Sequence, residues 1–277
     1  MFLVFGCLVV FMIGCAEKPN PGSTFSVMSY NVGNRTSPIP TTRQVAEVIL
    51  KHGVPDILLI QDTPWEIKIK DLAEAVGYSY FITGRKMAVR SNLAIFSRLP
   101  LSNPNTIHFH LNNSTPAALC AETRVSGKTV LFCTLHLSTL RFTYDRIVRE
   151  GGAQIPGVLG ILRDEYFRET QHSRSVEKLL KWIESKRYDA IILGGDFNTF
   201  LFTKPIRAIT SHLDDALWPS ADYFAGTYRN FRFPIKPRID YIFYSQGLDR
   251  LKAEIIRETP GDHYPVKAVF GLIEPGN

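Results

Sequence analysis

The stretch AIILGGDFNT, residues 190–199, decides how the rest of the chain reads. Ala190 to Leu193 form an apolar run of the kind carried by a strand covered on both faces. The run then breaks into Gly194-Gly195 and delivers Asp196, Phe197 and Asn198. A buried strand with such an end predicts a ligand site there, the glycines letting backbone approach the ligand closely.

Working outward, strands and helices alternate. FSVMSYNV (25–32) reads as a strand. TTRQVAEVILKHG (41–53) reads as a helix with a Thr cap and a Gly53 stop. DILLIQD (56–62) is a second buried strand, and WEIKIKDLAEAVG (65–77) a helix closed by Gly77. Strands are expected near 78–83, 92–97 and 105–111, then a hairpin turning at Ser126-Gly127. A long helix over 164–186 precedes strands near 189–195, 238–245, 251–257 and 265–272. Strands outnumber helices and some adjoin as hairpins. The expectation is one α/β (α+β) domain over 25–277, with mixed sheets and helices outside. At 277 residues and 45% hydrophobic, the chain can bury such a core.

In the hairpin, LCAETRV-SG-KTVLFCTL places Cys120 opposite Cys133 at a non-hydrogen-bonded position, where Cα atoms lie about 4.5–5.5 Å apart. The pair is either a disulfide or two buried thiols. No Cys-x-x-Cys and no Cys/His cluster suggests structural zinc.

MFLVFGCLVVFMIGC (1–15) has no charged side chain. It is too short to span a bilayer and suits a signal peptide. Met12-Ile13-Gly14-Cys15 resembles a lipobox, with Cys15 acylated at the mature N-terminus and 16–24 as a tether. The departure is the missing Lys or Arg before the apolar run. The protein is therefore expected to be exported, as a cell-envelope lipoprotein held to the membrane by its lipid or as a secreted protein, and to be a monomer. The net charge of +6 favours a polyanionic partner, nucleic acid or a lipid head group, or is an ordinary basic surface.

Polar residues recur at strand ends: Asn31, Gln61-Asp62, His136, Asp196 with Asn198, Asp240, and Asp262-His263. A lone strand-end Asp is usually a turn cap, and a lone His among apolar neighbours a satisfied core residue. Asp240 differs, because a carboxylate inside Ile239-Tyr241-Ile242-Phe243 needs a partner. Several acids with neutral Asn and His describe a hard-oxygen cation site, suited to Mg2+ or Mn2+ and a phosphate-bearing substrate.

The ordered set Y-N, Q-D, H-L, G-G-D-F-N, R-I-D-Y-I and D-H-x-P-V resembles the endonuclease/exonuclease/phosphatase superfamily over about residues 25–273. The resemblance implies a four-layer sandwich, two mixed β-sheets face to face with helices outside, and a Mg2+-dependent hydrolase of phosphoester bonds. It implies Asn31, Asp62 and Asp262 on the metal side. Asp196 and Asn198 would orient and deprotonate the attacking water, and His136 would bind a phosphate oxygen. Asp240 would orient His263, which contacts the scissile phosphate. Two departures stand out: Gln61-Asp62 where the family usually has Gln-Glu, and Gly261 where it usually has Ser.

The substrate side is less defined. The segment after His136 carries Arg141, Arg146, Arg149, Arg163, Arg168 and Arg174 around the apolar GGAQIPGVLGIL, with Arg187 just past the helix. It is a substrate lid or a structural excursion. Tyr228 and Arg229, ahead of Asp240, suit stacking and phosphate contact, or a packed loop. A phosphodiesterase acting on nucleic acid is the first expectation. A phospholipid or small-phosphoester hydrolase is the alternative, and a binding lipoprotein the third.

Overall fold

The structure, a computed structural model, describes residues 24–33, 38–87, 91–109, 116–140, 155–230 and 236–273, with backbone alone for 155–158. Segment 1–15, Cys15, the tether to residue 23, Arg141, Arg146, Arg149 and residues 151–154 lie outside them.

Two six-stranded sheets face each other. The first orders its strands β11 (Leu248–Ile255), β12 (Val266–Leu272), β1 (Thr24–Asn31), β2 (Ile57–Gln61), β4 (Ala94–Ser97) and β3 (Tyr80–Thr83). The second orders β5 (Ser102–His108), β6 (Ala117–Val125), β7 (Lys128–His136), β8 (Ala190–Asp196), β10 (Asp240–Tyr244) and β9 (Asp214–Asp215). Each sheet is mixed: β1 and β2 run parallel, as do β7 and β8, and the other pairs are antiparallel.

Helices cover the outer faces. Helices α1 (Thr42–Lys51) and α2 (Ile69–Val76) bury Val45, Ile49 and Leu72 with Met28, Leu58 and Phe96 of the first sheet. Outside the second sheet, α4 (Gln171–Glu184) and α5 (Lys204–Thr210) pack Val176, Leu179 and Ile209 on Leu193, Phe197 and Phe243. Between the sheets lie Phe25, Val27, Leu59, Phe132, Ile192 and Ile242. The period-2 alternation of each strand accounts for this, since neighbours such as Ile192 and Leu193 serve different layers. The chain is thus the four-layer sandwich expected. Among the described residues no helix is long and apolar enough to cross a membrane.

Several boundaries differ from the sequence reading. The long helix over 164–186 is two helices, α3 (Ile155–Phe167) and α4. Thr170 adopts an extended conformation between them, and its side chain and that of Ser173 bond reciprocally to each other's backbone N–H. This capping box carries Ser where Glu or Gln is usual, so its signal is faint in the sequence. The apolar stretch from Ile155 onward is helical rather than loop. Helix α2 starts at Ile69, four residues late. Strand β5 starts at Ser102 and tolerates Pro104 because it is an edge strand with a bulge. Helix α5 and the two-residue β9 are additions.

Cys120 and Cys133 pair in register and are disulfide-bonded, with Cα atoms 4.1 Å apart.

The glycines of β8 serve packing. A methyl group at Gly194 would stand 2.7 Å from Leu59 Cδ1 and 3.3 Å from Ser29 Cβ of the facing sheet. At Gly195, with φ +154°, it would stand 2.1 Å from the Leu135 carbonyl oxygen. Leu59 can rotate away but the Leu135 backbone cannot. Gly194→Ala is therefore expected to cost about 1–3 kcal/mol, as overpacking does, and Gly195→Ala clearly more. Urea unfolding of both variants checks the order, and equal losses would contradict the steric account.

Candidate active site

The inward-facing positions of five strands turn from apolar to polar toward one end. Along β1 the series is Val27, Ser29, Asn31; along β2, Leu59, Gln61; along β7, Phe132, Thr134, His136; along β8, Ile192, Gly194, Asp196; along β10, Ile242, Asp240. Pairing register then sets His136, Asp196 and Asp240 side by side across three adjacent strands. Just inside this row, buried Gln61 joins the sheets, its Nε2 donating to Ser29 Oγ (3.2 Å), the Leu59 carbonyl (3.0 Å) and Thr134 Oγ1 (2.8 Å).

Asp196 is the centre. Its Oδ2 accepts from Asn31 Nδ2 at 2.9 Å and Asn198 Nδ2 at 3.2 Å, and its Oδ1 from the Asn198 backbone N–H at 2.8 Å. His136 Nε2 stands 3.4 Å and His263 Nε2 3.8 Å from Oδ2. Those last distances exceed a good hydrogen bond, so both imidazoles face the carboxylate across a gap. Asn198 takes a left-handed φ of +50°, which Asn tolerates. Its amide also donates to the Leu137 carbonyl (3.0 Å), tying the end of β8 to the end of β7.

Asp240 finds the partner its burial demands. His263 Nδ1 lies 2.9 and 3.1 Å from its two oxygens. The backbone N–H groups of Ile239 and Asp240 both donate to Thr227 Oγ1, fixing the strand end. Tyr228 forms a β-bridge with His263 and packs its ring 5.0 Å away.

The charges shift accordingly. Burial pushes the Asp196 carboxyl above the usual carboxylate range, against the pull of His263. For His263, burial alone would lower the value. The charge of Asp240, then that of Asp196, outweighs it and pushes the imidazole up to about 10.

The metal-side residues gather around Gly33. A methyl there would lie 2.3 Å from Asp62 Oδ2, so only glycine leaves room for that carboxylate. Asp62 is half-buried at φ +50°. The Gly33 N–H donates to Asn31 Oδ1 at 2.9 Å. Gly261, next to buried Asp262, abuts the Gly33 carbonyl, and a methyl at Gly261 would come within 3.0 Å of it. Glycine rather than Ser at 261 thus fits the close approach of the two loops.

Asp196, Asp240 and His263 form a buried group whose ligand atoms lie within 4.8 Å and could hold a metal ion. His263 Nδ1 already engages Asp240, however, and the ring is held protonated, which makes it a poor ligand. Oxygens of Asp62, Asp262 and Asn31 suit a hard cation better. Charge supports the fit: Asp196, Asp240 and Asp262 are buried, Asp62 is beside them, and the imidazoles do not balance four acids.

The expected substrate residues divide. Tyr228 stands against His263. Arg229 braces the loop ahead of Asp262, its Nη1 donating to the Thr259 (3.0 Å) and Gly261 (3.2 Å) carbonyls and its guanidinium 5.9 Å over the Tyr264 ring. Arg174 is exposed on α4, its guanidinium 3.4 Å from Glu169.

Sequence reasoning passed over three supporting groups. These are the Ser29–Gln61–Thr134 bridge, Thr227, and the buried Arg238–Asp215 pair, with both carboxylate oxygens 2.6 Å from Nη2. Arg238 carried a signal, being a charge two residues before Asp240 at the mouth of an apolar strand.

The endonuclease/exonuclease/phosphatase family model matches residues 28–263. The chain belongs to this family. Members are divalent-metal-dependent hydrolases of phosphoester bonds. A Bacteroides thetaiotaomicron family protein of known structure is 19% identical, covering 90% of this chain and 98% of its own, with a TM-score of 0.65. A mannosyl-6-phosphatase from that organism is 19% identical (90% and 100% covered, TM-score 0.63). The human nocturnin catalytic domain with bound sulfate is also 19% identical (91% and 94%, TM-score 0.64). These likenesses show the shared fold. No curated protein sequence matches the chain.

The raised His263 value sets a pH window in this family member. A folded-state value of about 10 against an unfolded value near 6.5 means the pairing stabilises fully below about pH 6.5 and is lost as pH rises toward 10. In EDTA, the melting temperature of the wild type should fall relative to that of His263→Gln across that window. Parallel curves would show that the ring is not held charged.

Proposed function

We propose that this chain is a Mg2+-dependent phosphodiesterase, exported and held at the cell envelope through Cys15, and acting on a polyanionic substrate such as nucleic acid. The observation that carries the phosphoester chemistry is Asp196: one buried carboxylate oriented by Asn31 and Asn198, facing the Nε2 atoms of two histidines. The net charge of +6 supports a polyanion. The apolar segment before Cys15 supports export.

Asp62, Asp262 and Asn31 would hold the cation. When bound, it would neutralise charge on the phosphate oxygens and the leaving oxygen. Asp196 takes the proton from the attacking water. Its raised affinity for a proton makes it a stronger base than an exposed carboxylate, and the two amides fix its lone pairs. His263 arrives charged and donates from Nε2 to a phosphate oxygen, while Asp240 holds its tautomer and orientation through Nδ1. His136 Nε2 approaches the same space from β7. Tyr228 packs against the His263 ring. Water attacks phosphorus, the bond to the leaving oxygen breaks, and no covalent enzyme intermediate is needed.

Hydrolysis of bis(p-nitrophenyl) phosphate in Mg2+, Mn2+ and EDTA tests this. Turnover should require metal, and Asp196→Asn should lower kcat by about 10²–10⁴-fold with the fold intact. DNA and RNA arms should weaken steeply with salt. Salt-insensitive cleavage of phospholipid would move the assignment to a lipid head group, and cleavage of the monoester alone to a phosphatase.

A further inference from the structure

A second buried acid–histidine pair lies behind the site. Glu165 of α3 and His172 of α4 are each 3% exposed, with His172 Nδ1 3.1 Å from Glu165 Oε2. His172 Nε2 lies 2.6 Å from the Ser138 carbonyl oxygen, two residues beyond His136. Glu165 Oε2 also accepts from Thr199 Oγ1 at 2.9 Å, one residue beyond Asn198. Thr199 is fully buried, its Oγ1 meeting Thr203 Oγ1 at 3.1 Å and its carbonyl accepting from the Tyr241 hydroxyl at 3.2 Å.

The contacts assign donors and acceptors. A carbonyl oxygen cannot donate, so His172 Nε2 carries a proton. Glu165 Oε2 is already an acceptor from Thr199, and burial, which would raise the Glu165 carboxyl, is outweighed by His172, so the acid stays ionised. His172 Nδ1 faces that carboxylate and is placed to donate to it as well. Both groups are removed from water.

A buried ion pair is weak evidence of stability, because apolar residues of similar volume commonly do as well. Here it spans the two loops that leave the His136 and Asp196 strands. Those strands adjoin in the sheet, and just beyond it Asn198 Nδ2 donates to the Leu137 carbonyl. We propose that Glu165 and His172 are positioning residues, a hydrogen-bonded strut that fixes the loop after His136 against the loop after Asn198 and so sets the gap in which phosphate is bound. This deepens the phosphoesterase reading and rests on it.

The experiment compares full-length wild type, Glu165→Gln and the double variant Glu165→Leu/His172→Phe. The Gln variant keeps the acceptor and should retain kcat within tenfold. The double variant removes both polar side chains and should keep the wild-type melting temperature within a few degrees. Its kcat on bis(p-nitrophenyl) phosphate should fall about a hundredfold, the scale expected of a misplacement near 1 Å, with KM changed less than threefold. Wild-type turnover in the double variant overturns the proposal, as does a loss that follows melting alone.

Imidazole ¹⁵N resonances give a reading independent of turnover. His172 should report two protonated nitrogens, and the His136 signal should move in the double variant but stay in Glu165→Gln. A neutral His172, or an unmoved His136, sinks the strut even if the enzyme is active. If wild type hydrolyses nothing, the proposed function fails while the resonances still decide the strut. Should the double variant not fold, Thr199→Val breaks the strut at its other end. It should lower kcat about tenfold and shift His136, and an unchanged enzyme would overturn the proposal.

Discussion

The molecule is organised around a carboxylate almost wholly removed from solvent. Asp196 is buried, and a buried charge persists only where hydrogen bonds and counter-charges replace its hydration. Those come from both sheets: Asn31 from the first, His136 and Asn198 from the second, His263 from the loop before β12. The two sheets must therefore meet in one register. A slip of β8 by a single residue would turn Asp196 toward the outer helices and bring Gly195 or Phe197 to the seam. The glycines enforce this register, since Gly194 admits Leu59 and Gly195 admits the Leu135 backbone.

The seam between the sheets is one continuous structure with two chemistries. Its closed end is filled by Phe25, Phe132 and Phe270. Its open end holds the acids and histidines. The Ser29–Gln61–Thr134 bridge marks the transition. Beyond it the backbone leaves its ordinary regions, with Asp62 one residue and Asn198 two residues past their strands, both at φ +50°. Such conformations cluster where side chains must be aimed rather than packed.

The outer layers also reach the site. Phe197 packs against Tyr241 and Phe243 at 5.3 Å each and so anchors the stretch between Asp196 and Asn198 to the far face of the sheet. Helices α3 and α4 touch the loops just beyond β7 and β8 through His172 and Glu165. The Arg238–Asp215 pair, with the guanidinium 4.5 Å from the Tyr241 ring, fixes the start of β10 from the side.

By itself the sequence determined the layers and the ends of the strands. Alternating and continuous apolar runs mark strands, and Thr41 and Gly77 mark helix boundaries, because those signals act over a few residues. The motifs carrying Asn31, Asp62, His136, Asp196, Asp240 and His263 were legible as polar intrusions into apolar strands, and burial makes such intrusions costly enough to notice. Only the tertiary structure decided which of them meet. Arg229 could be read as a phosphate ligand, but the fold turns it to the Thr259 and Gly261 carbonyls. Glu165 and His172 read as residues of one long helix until Thr170 broke it and set them together. Pairings of this kind depend on inter-strand register and on the angle between packed elements. Both arise from contacts between residues far apart in the chain, so no local pattern records them.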